Sequence, residues 1–108
     1  MIPDILFIKD SFTHFNSLIF REGLPEPRFV LTRARTFRGK LCYRVSHSFM
    51  RKKYDDFEMR ISTGFDLPRA EWEDVVIHEM IHLFIVTKRI NDSSSHGPAF
   101  RKIMTDIN

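Results

Sequence analysis

Cysteine is nearly absent from this chain. Cys42 stands alone, so no intramolecular disulfide can form, and a chain this short has to stabilise itself by packing or by a bound metal. That absence points to a reducing compartment. Long apolar runs are missing too: no segment approaches the ~20 residues needed to cross a bilayer. The first seven residues lack the basic stretch and long apolar core of a secretory signal. A soluble, cytoplasmic protein with no membrane association is the expectation. Repeats are absent, and the only low-complexity stretch is Ser93-Ser94-Ser95.

What is present suffices for a packed core. Hydrophobic residues make up 43% and charged residues 29% of 108 residues, a composition that excludes disorder and suits one domain spanning 1–108. Eleven phenylalanines supply much of the apolar mass. The net charge of +3 is unevenly placed. Over 28–60, Lys or Arg occupies positions 28, 33, 35, 38, 40, 44, 51, 52, 53 and 60, against Asp55, Asp56 and Glu58. This basic region is either a set of solvated strand faces or a surface for nucleic-acid phosphates.

Ile5, Ile8, Phe12, Phe15 and Ile19 recur at helical spacing, and Gly23, Pro25 and Pro27 end that helix. The period then falls to two: Phe29 and Leu31; Leu41, Tyr43 and Val45; Phe57, Met59 and Ile61. Three half-buried strands are expected, with a hairpin-length link over 35–39 and a longer, charged link over 50–56. The economical topology is an antiparallel meander. Asp66 and Pro68 suit the start of a further helix, with Asp66 as its cap and Glu71, Glu73 and Asp74 near its positive end. That helix is apolar almost all round through Val86, as befits a central, buried element. A polar linker over 91–95 leads to a last amphipathic helix opened by Pro98 and marked by Phe100, Ile103, Met104 and Ile107. The fold class is therefore α+β.

Three polar residues interrupt the central helix, in the pattern His78-Glu79-Met80-Ile81-His82. Histidines four apart lie on one helical face, where both rings can reach a single zinc ion, and Glu79 projects beside them as a general base. The competing reading, two hydrogen-bonded core histidines, leaves three buried polar groups to be satisfied without a metal. A catalytic zinc needs a third protein ligand and an open position. Ile85 and Lys88 occupy the places where the metzincin spacing requires Gly and His, and no glutamate follows Glu79. Asp92 and His96 remain. His96 is preferred, because zinc takes histidine readily and Gly97-Pro98 restrains its backbone. His14, His47, Cys42 and Trp72 lack metal spacing or an activating partner and are read as surface or packing residues.

The two segments together, His78-Glu79-Met80-Ile81-His82 and His96-Gly97-Pro98-Ala99-Phe100, resemble the SprT-like zinc metallopeptidases, the family that contains the Spartan proteases. Softer likenesses lie in the first helix, the hairpin from Arg33 to Tyr43 and the segment Arg60-Ile61-Ser62. The resemblance implies a zincin-like fold, Zn2+ held by His78, His82 and His96, and catalysis by Glu79 on protein or peptide substrates. It also implies that the 57–62 strand borders the cleft and holds an extended peptide by strand addition. Spartan relatives digest proteins crosslinked to DNA, so DNA-protein crosslink repair and DNA contact through 28–60 follow from the likeness. No cysteine-rich zinc ribbon accompanies it here. The chain ends at Asn108 soon after the motif, as an excised or truncated domain would.

Two further functions compete. One is a noncatalytic domain in which zinc only staples the core while the basic region binds nucleic acid; an intact Glu79 argues against it, because a structural site is closed and needs no base. The other is zinc-assisted hydrolysis of a nonpeptide bond.

Overall fold

The computed structural model describes residues 1–92 and 94–107; Ser93 of the polar linker and the terminal Asn108 lie outside the described residues. The elements follow the order α1 (Ile5–Leu18), β1 (Arg28–Thr32), β2 (Gly39–Ser48), β3 (Arg51–Ser62), α2 (Arg69–Thr87) and α3 (Pro98–Ile107). The α+β class and all three helices agree with the periodicity. Asp4 caps α1, its Oδ1 accepting from the Phe7 amide at 2.8 Å, which satisfies one orphan N–H of the first turn. Ile8 and Phe12 of α1 are buried with Met59 and Ile61 of β3 and with Trp72, Val76, Met80 and Leu83 of α2. Trp72 belongs to the core at 0% exposure, its indole N–H donating to the Met1 carbonyl at 2.9 Å. Among the described residues no helix is long and apolar enough to cross a membrane.

The sheet departs from the expected antiparallel meander. Its order is β1-β3-β2, with β1 parallel to β3 and β2 antiparallel to β3. Alternating hydrophobicity identifies a strand but not its neighbour, and here the first link decides. Instead of turning back as a hairpin, 33–38 arches over the end of β3. Ser62 donates its backbone N–H to Arg38 O at 2.9 Å and its hydroxyl to Ala34 O. Thr63 donates to Thr32 O through its N–H at 2.8 Å and its hydroxyl at 3.0 Å. The side chains that close this arch are short hydroxyls, which carry no periodic signal.

The second link is also different. It is a two-residue turn at Phe49 and Met50, both with positive φ (48° and 67°), joining the Ser48–Arg51 pair. The charged segment expected as a loop is strand. Farther down, the register shifts between Cys42 and Arg44, opposite Asp56 at φ 56°. A bulge of this kind bends a hairpin. Below it β2 and β3 cover the core; beyond it they form an exposed two-stranded arm.

Asp66 does not cap α2. Pro68 is the N-cap, without a side-chain hydrogen bond, while Asp66 accepts from the Met1 amine at 2.6 Å.

Candidate metal centre

The central helix brings His78 and His82 onto one face, as a spacing of four requires. Beyond α2 the chain returns so that His96 faces them. His96 Nε2 lies 3.1 Å from His78 Nε2 and 3.1 Å from His82 Nε2. The candidate ligand atoms of all three lie within 4.8 Å of one another. Two nitrogens bound at 2.0–2.1 Å to one tetrahedral ion stand about 3.3–3.4 Å apart, so the observed separation fits a shared cation. A hydrogen-bonded alternative fits worse. One ring nitrogen carries at most one proton, so His96 Nε2 cannot donate to both neighbours, whereas a cation engages all three lone pairs. The chemistry of the donor set, three imidazoles, suits zinc.

Electrostatics favour the neutral rings that a metal needs. Burial, reinforced by His96, holds His78 below the usual histidine range. Burial first, then His78 and His96, lowers His82 to about 4. Proton competition at these two rings therefore begins only in acid.

Beneath the triad lies Phe100, 4% exposed, with its ring 4.9, 4.6 and 4.9 Å from those of His78, His82 and His96. Phe100 and His96 are both placed by the start of α3, and here Asp92, weighed above as an alternative ligand, finds its place. It is not in the triad. Its carboxylate accepts from the Ala99 amide at 3.3 Å and the Phe100 amide at 3.1 Å, so it caps α3. Gly97 makes room for it: a Cβ there would fall 2.1 Å from Asp92 Oδ1. An aspartate six residues before a proline gives no pattern from which this cap could be read. Asp92→Ala is expected to cost about 1 kcal/mol of stability, as N-cap removal does. It should also weaken zinc binding by roughly 10–100-fold through looser placement of His96. A calorimetric melt and a competitive zinc titration check the two effects.

Glu79 is 5% exposed on α2. Burial raises its carboxyl to about 7, and the Leu41 backbone N–H, donating to it, offsets part of that rise. Leu41 belongs to β2, and the adjacent Gly39 allows the close approach: a Cβ at 39 would come within 2.7 Å of Val75 Cγ1 and 3.2 Å of Glu79 Cγ. The strand bordering the cleft is therefore β2. The 57–62 segment, expected in that place, is the centre of the sheet and hydrogen-bonded on both sides. In an antiparallel ladder, residues alternate between pointing at the partner and pointing away. Because Arg38 O accepts from Ser62, Gly39 and Leu41 present their backbone groups to the free edge, toward Glu79. A cavity of about 400 Å³ opens there, lined by Arg38, Gly39, Val75, His78, Glu79 and Met104 among others.

The remaining candidates are not at the centre. His14 is exposed on α1 against Phe15, His47 is exposed on the arm, and Cys42 is half-buried in β2. Part of the basic region is neutralised locally: Arg28 pairs with Asp56 and Glu58, Arg44 and Lys53 with Asp55, and Arg60 with Glu58.

No curated protein and no solved structure matches the chain. The family model of the SprT-like family matches residues 8–108, from the second turn of α1 through the histidine triad, and the chain belongs to that family.

Proposed function

We propose that the chain is a zinc-dependent metallopeptidase of zincin type, with His78, His82 and His96 as ligands and Glu79 as general base. The observation that carries this reading is the convergence of three imidazole nitrogens beside one carboxylate that is buried and faces a cavity at a free strand edge. His78, His82 and His96 would hold the zinc ion, which when bound would lower the pKa of a water toward ~7 and polarise a carbonyl. The rest falls to the chain. An extended substrate segment pairs with the outward backbone groups of Gly39 and with the Leu41 carbonyl, the Leu41 N–H being held by Glu79, which fixes the scissile carbonyl against the triad. The Glu79 carboxylate takes a proton from the attacking water and passes it to the departing amide nitrogen. Burial is what makes the carboxylate basic enough for the first transfer and acidic enough for the second.

Family membership supports a metallopeptidase reading; protein as the substrate, and proteins crosslinked to DNA as the class within it, rest on the resemblance of the two histidine segments to the Spartan proteases. A purely structural zinc site would close its fourth position and would have no use for a buried base facing a cavity. The test is cleavage of a denatured protein, followed by gel and mass spectrometry. Fragments should appear with the zinc-loaded protein, vanish after chelation and return on adding zinc. Fragmentation indifferent to chelation would sink the proposal, and a loaded protein that cuts no denatured or DNA-linked substrate would favour the noncatalytic reading.

A further inference from the structure

The triad lies between two hollows of opposite charge. The cavity at Gly39 and Glu79 reaches His78 and carries Glu71 and Asp74 on its wall. At the other end, a cavity of about 450 Å³ is lined by Tyr43, Lys52 and Tyr54 of the arm, by Val86 of α2 and Arg89 just beyond it, and by Ser95. Ser95 Oγ sits 3.4 Å from His96 Nδ1, so this second hollow adjoins the third imidazole.

The second hollow holds positive charge that nothing in the fold uses. Lys52 and Arg89 take part in no ion pair among the described residues, and the acid in the wall, Asp92, is engaged by the α3 amides. Arg89 has φ 54° and directly follows the C-cap Lys88, a place where glycine or asparagine is the relaxed choice. Ending the helix does not call for a cation there. The rings of Tyr43 and Tyr54 meet edge to face at 5.7 Å and offer a wall for the stem of a side chain. A carboxylate suits this hollow and no other part of the cleft, because in the first cavity it would face Glu71, Asp74 and Glu79 and be repelled.

Both hollows lie along β2, with Gly39 at the first and Tyr43 at the second, roughly 13 Å apart at ~3.3 Å per residue. A segment added antiparallel to β2, the more stable pairing, runs from Tyr43 toward Gly39. Its N-terminal part therefore passes the cationic hollow before the scissile bond meets the triad. We infer that this hollow is a specificity subsite for an acidic side chain of the substrate, about two to four residues N-terminal to the cleaved bond, with the carboxylate at Lys52 and Arg89 and the stem against Tyr43 and Tyr54. The inference rests on the hydrolytic reading and names the substrate class within it: extended segments with Asp or Glu upstream of the cut.

The test uses the full, zinc-loaded chain and a neutral host peptide in which Glu, Gln or Lys is placed at each position in turn. The cut is located by mass spectrometry. With Glu upstream, kcat/KM should exceed that of Gln by about 3- to 20-fold, the range for two exposed ion pairs, and Lys should fall below Gln. The gain should appear in KM, since the contact is away from the reacting bond, and should shrink as salt rises. Glu downstream of the cut should bring no gain. Lys52→Glu with Arg89→Glu should reverse the order, with Lys above Glu. Arg89→Asn should lower the preference for Glu about twofold to fivefold while the melting temperature holds or rises, because asparagine relaxes the backbone there. A residue kept for the fold would not separate those two readouts. Lys9→Glu, on α1, which makes no contact with β2 or β3, should keep the preference within about twofold.

Anisotropy of the same peptides, labelled, on zinc-loaded Glu79→Gln reads the hollow without hydrolysis. If the parent cut nothing while binding kept the preference for Glu and the double charge reversal inverted it, the hydrolytic reading would fall and the acid-binding hollow would stand. Three results would overturn the inference and leave hydrolysis intact: equal rates and affinities for the Glu and Gln hosts, a preference for Glu that survives the charge reversal, or a preference for an acid only downstream of the cut.

Discussion

Glu79→Gln is expected to lower kcat/KM for a protein substrate by about 10²–10⁴-fold, the usual worth of a positioned general base, while zinc stays bound at one ion per chain. Glutamine keeps the size of the side chain and can still accept from the Leu41 N–H through its amide oxygen, so packing at Gly39 is preserved. What it loses is the ability to take a proton. The substitution removes a buried carboxyl, so the variant should fold at least as stably as the parent near neutral pH. The sign follows from linkage. A carboxyl raised from 4.5 to about 7 by burial binds its proton more tightly folded than unfolded, and stability falls as pH rises through that window. The metal-free parent loses this stability between about pH 4.5 and 7, and the variant does not. The same carboxyl shapes the activity profile. Only its ionised form accepts a proton, so activity should decline on the acid side, and a bound dication nearby draws that limb below 7. Metal content by emission spectroscopy, melting curves of the chelated proteins and initial rates across pH separate the three expectations. Equal rates for parent and variant would remove Glu79 from the mechanism.

Much of this centre is legible in the linear chain because it is local. Two histidines four apart on an uninterrupted helix must share a face, whatever the rest of the fold does. The helices are legible for the same reason: apolar residues every three or four positions need only themselves to define a stripe. The third ligand is less local, since His96 reaches the others only because the chain reverses after α2. Residue chemistry favours it over Asp92, but Asp92's own task, holding the first amides of α3, becomes visible only when the two segments are side by side.

The sheet was harder to read for a physical reason. Strand pairing is nonlocal, and Phe29–Leu31 alternates equally well beside β2 or β3. The hydroxyls of Ser62 and Thr63, which fasten the first link across the end of β3, are too short and too polar to register in any hydrophobic pattern. The 57–62 strand departs from its expected place at the edge for the same cause: with β1 on one side and β2 on the other, β3 has no free edge to offer a peptide. The tight turn at Phe49 and Met50 is not legible because neither is a residue that favours positive φ.

His96→Ala tests the nonlocal part of the site and should nearly abolish stabilisation by zinc. In the parent, free zinc at 100 times its Kd adds about 2.7 kcal/mol, which for a domain near 100 residues raises the melting temperature on the order of 10 °C. Without His96 two imidazoles remain. The loss in affinity should exceed the 10–100-fold that follows removal of an outer-shell partner, leaving an increment of about 1 kcal/mol or less at the same zinc concentration. The metal-free melting temperature should change little, or rise. His96 is exposed, and without a cation its ring nitrogen crowds two others at 3.1 Å, an arrangement that becomes repulsive as the rings gain protons. These opposite outcomes, a lost increment with zinc and none or a gain without it, distinguish a ligand from a packing residue, whose removal would lower both melts alike. If the zinc-dependent increment survived intact in His96→Ala, the third ligand would have to come from elsewhere, and Asp92 would be the first place to look.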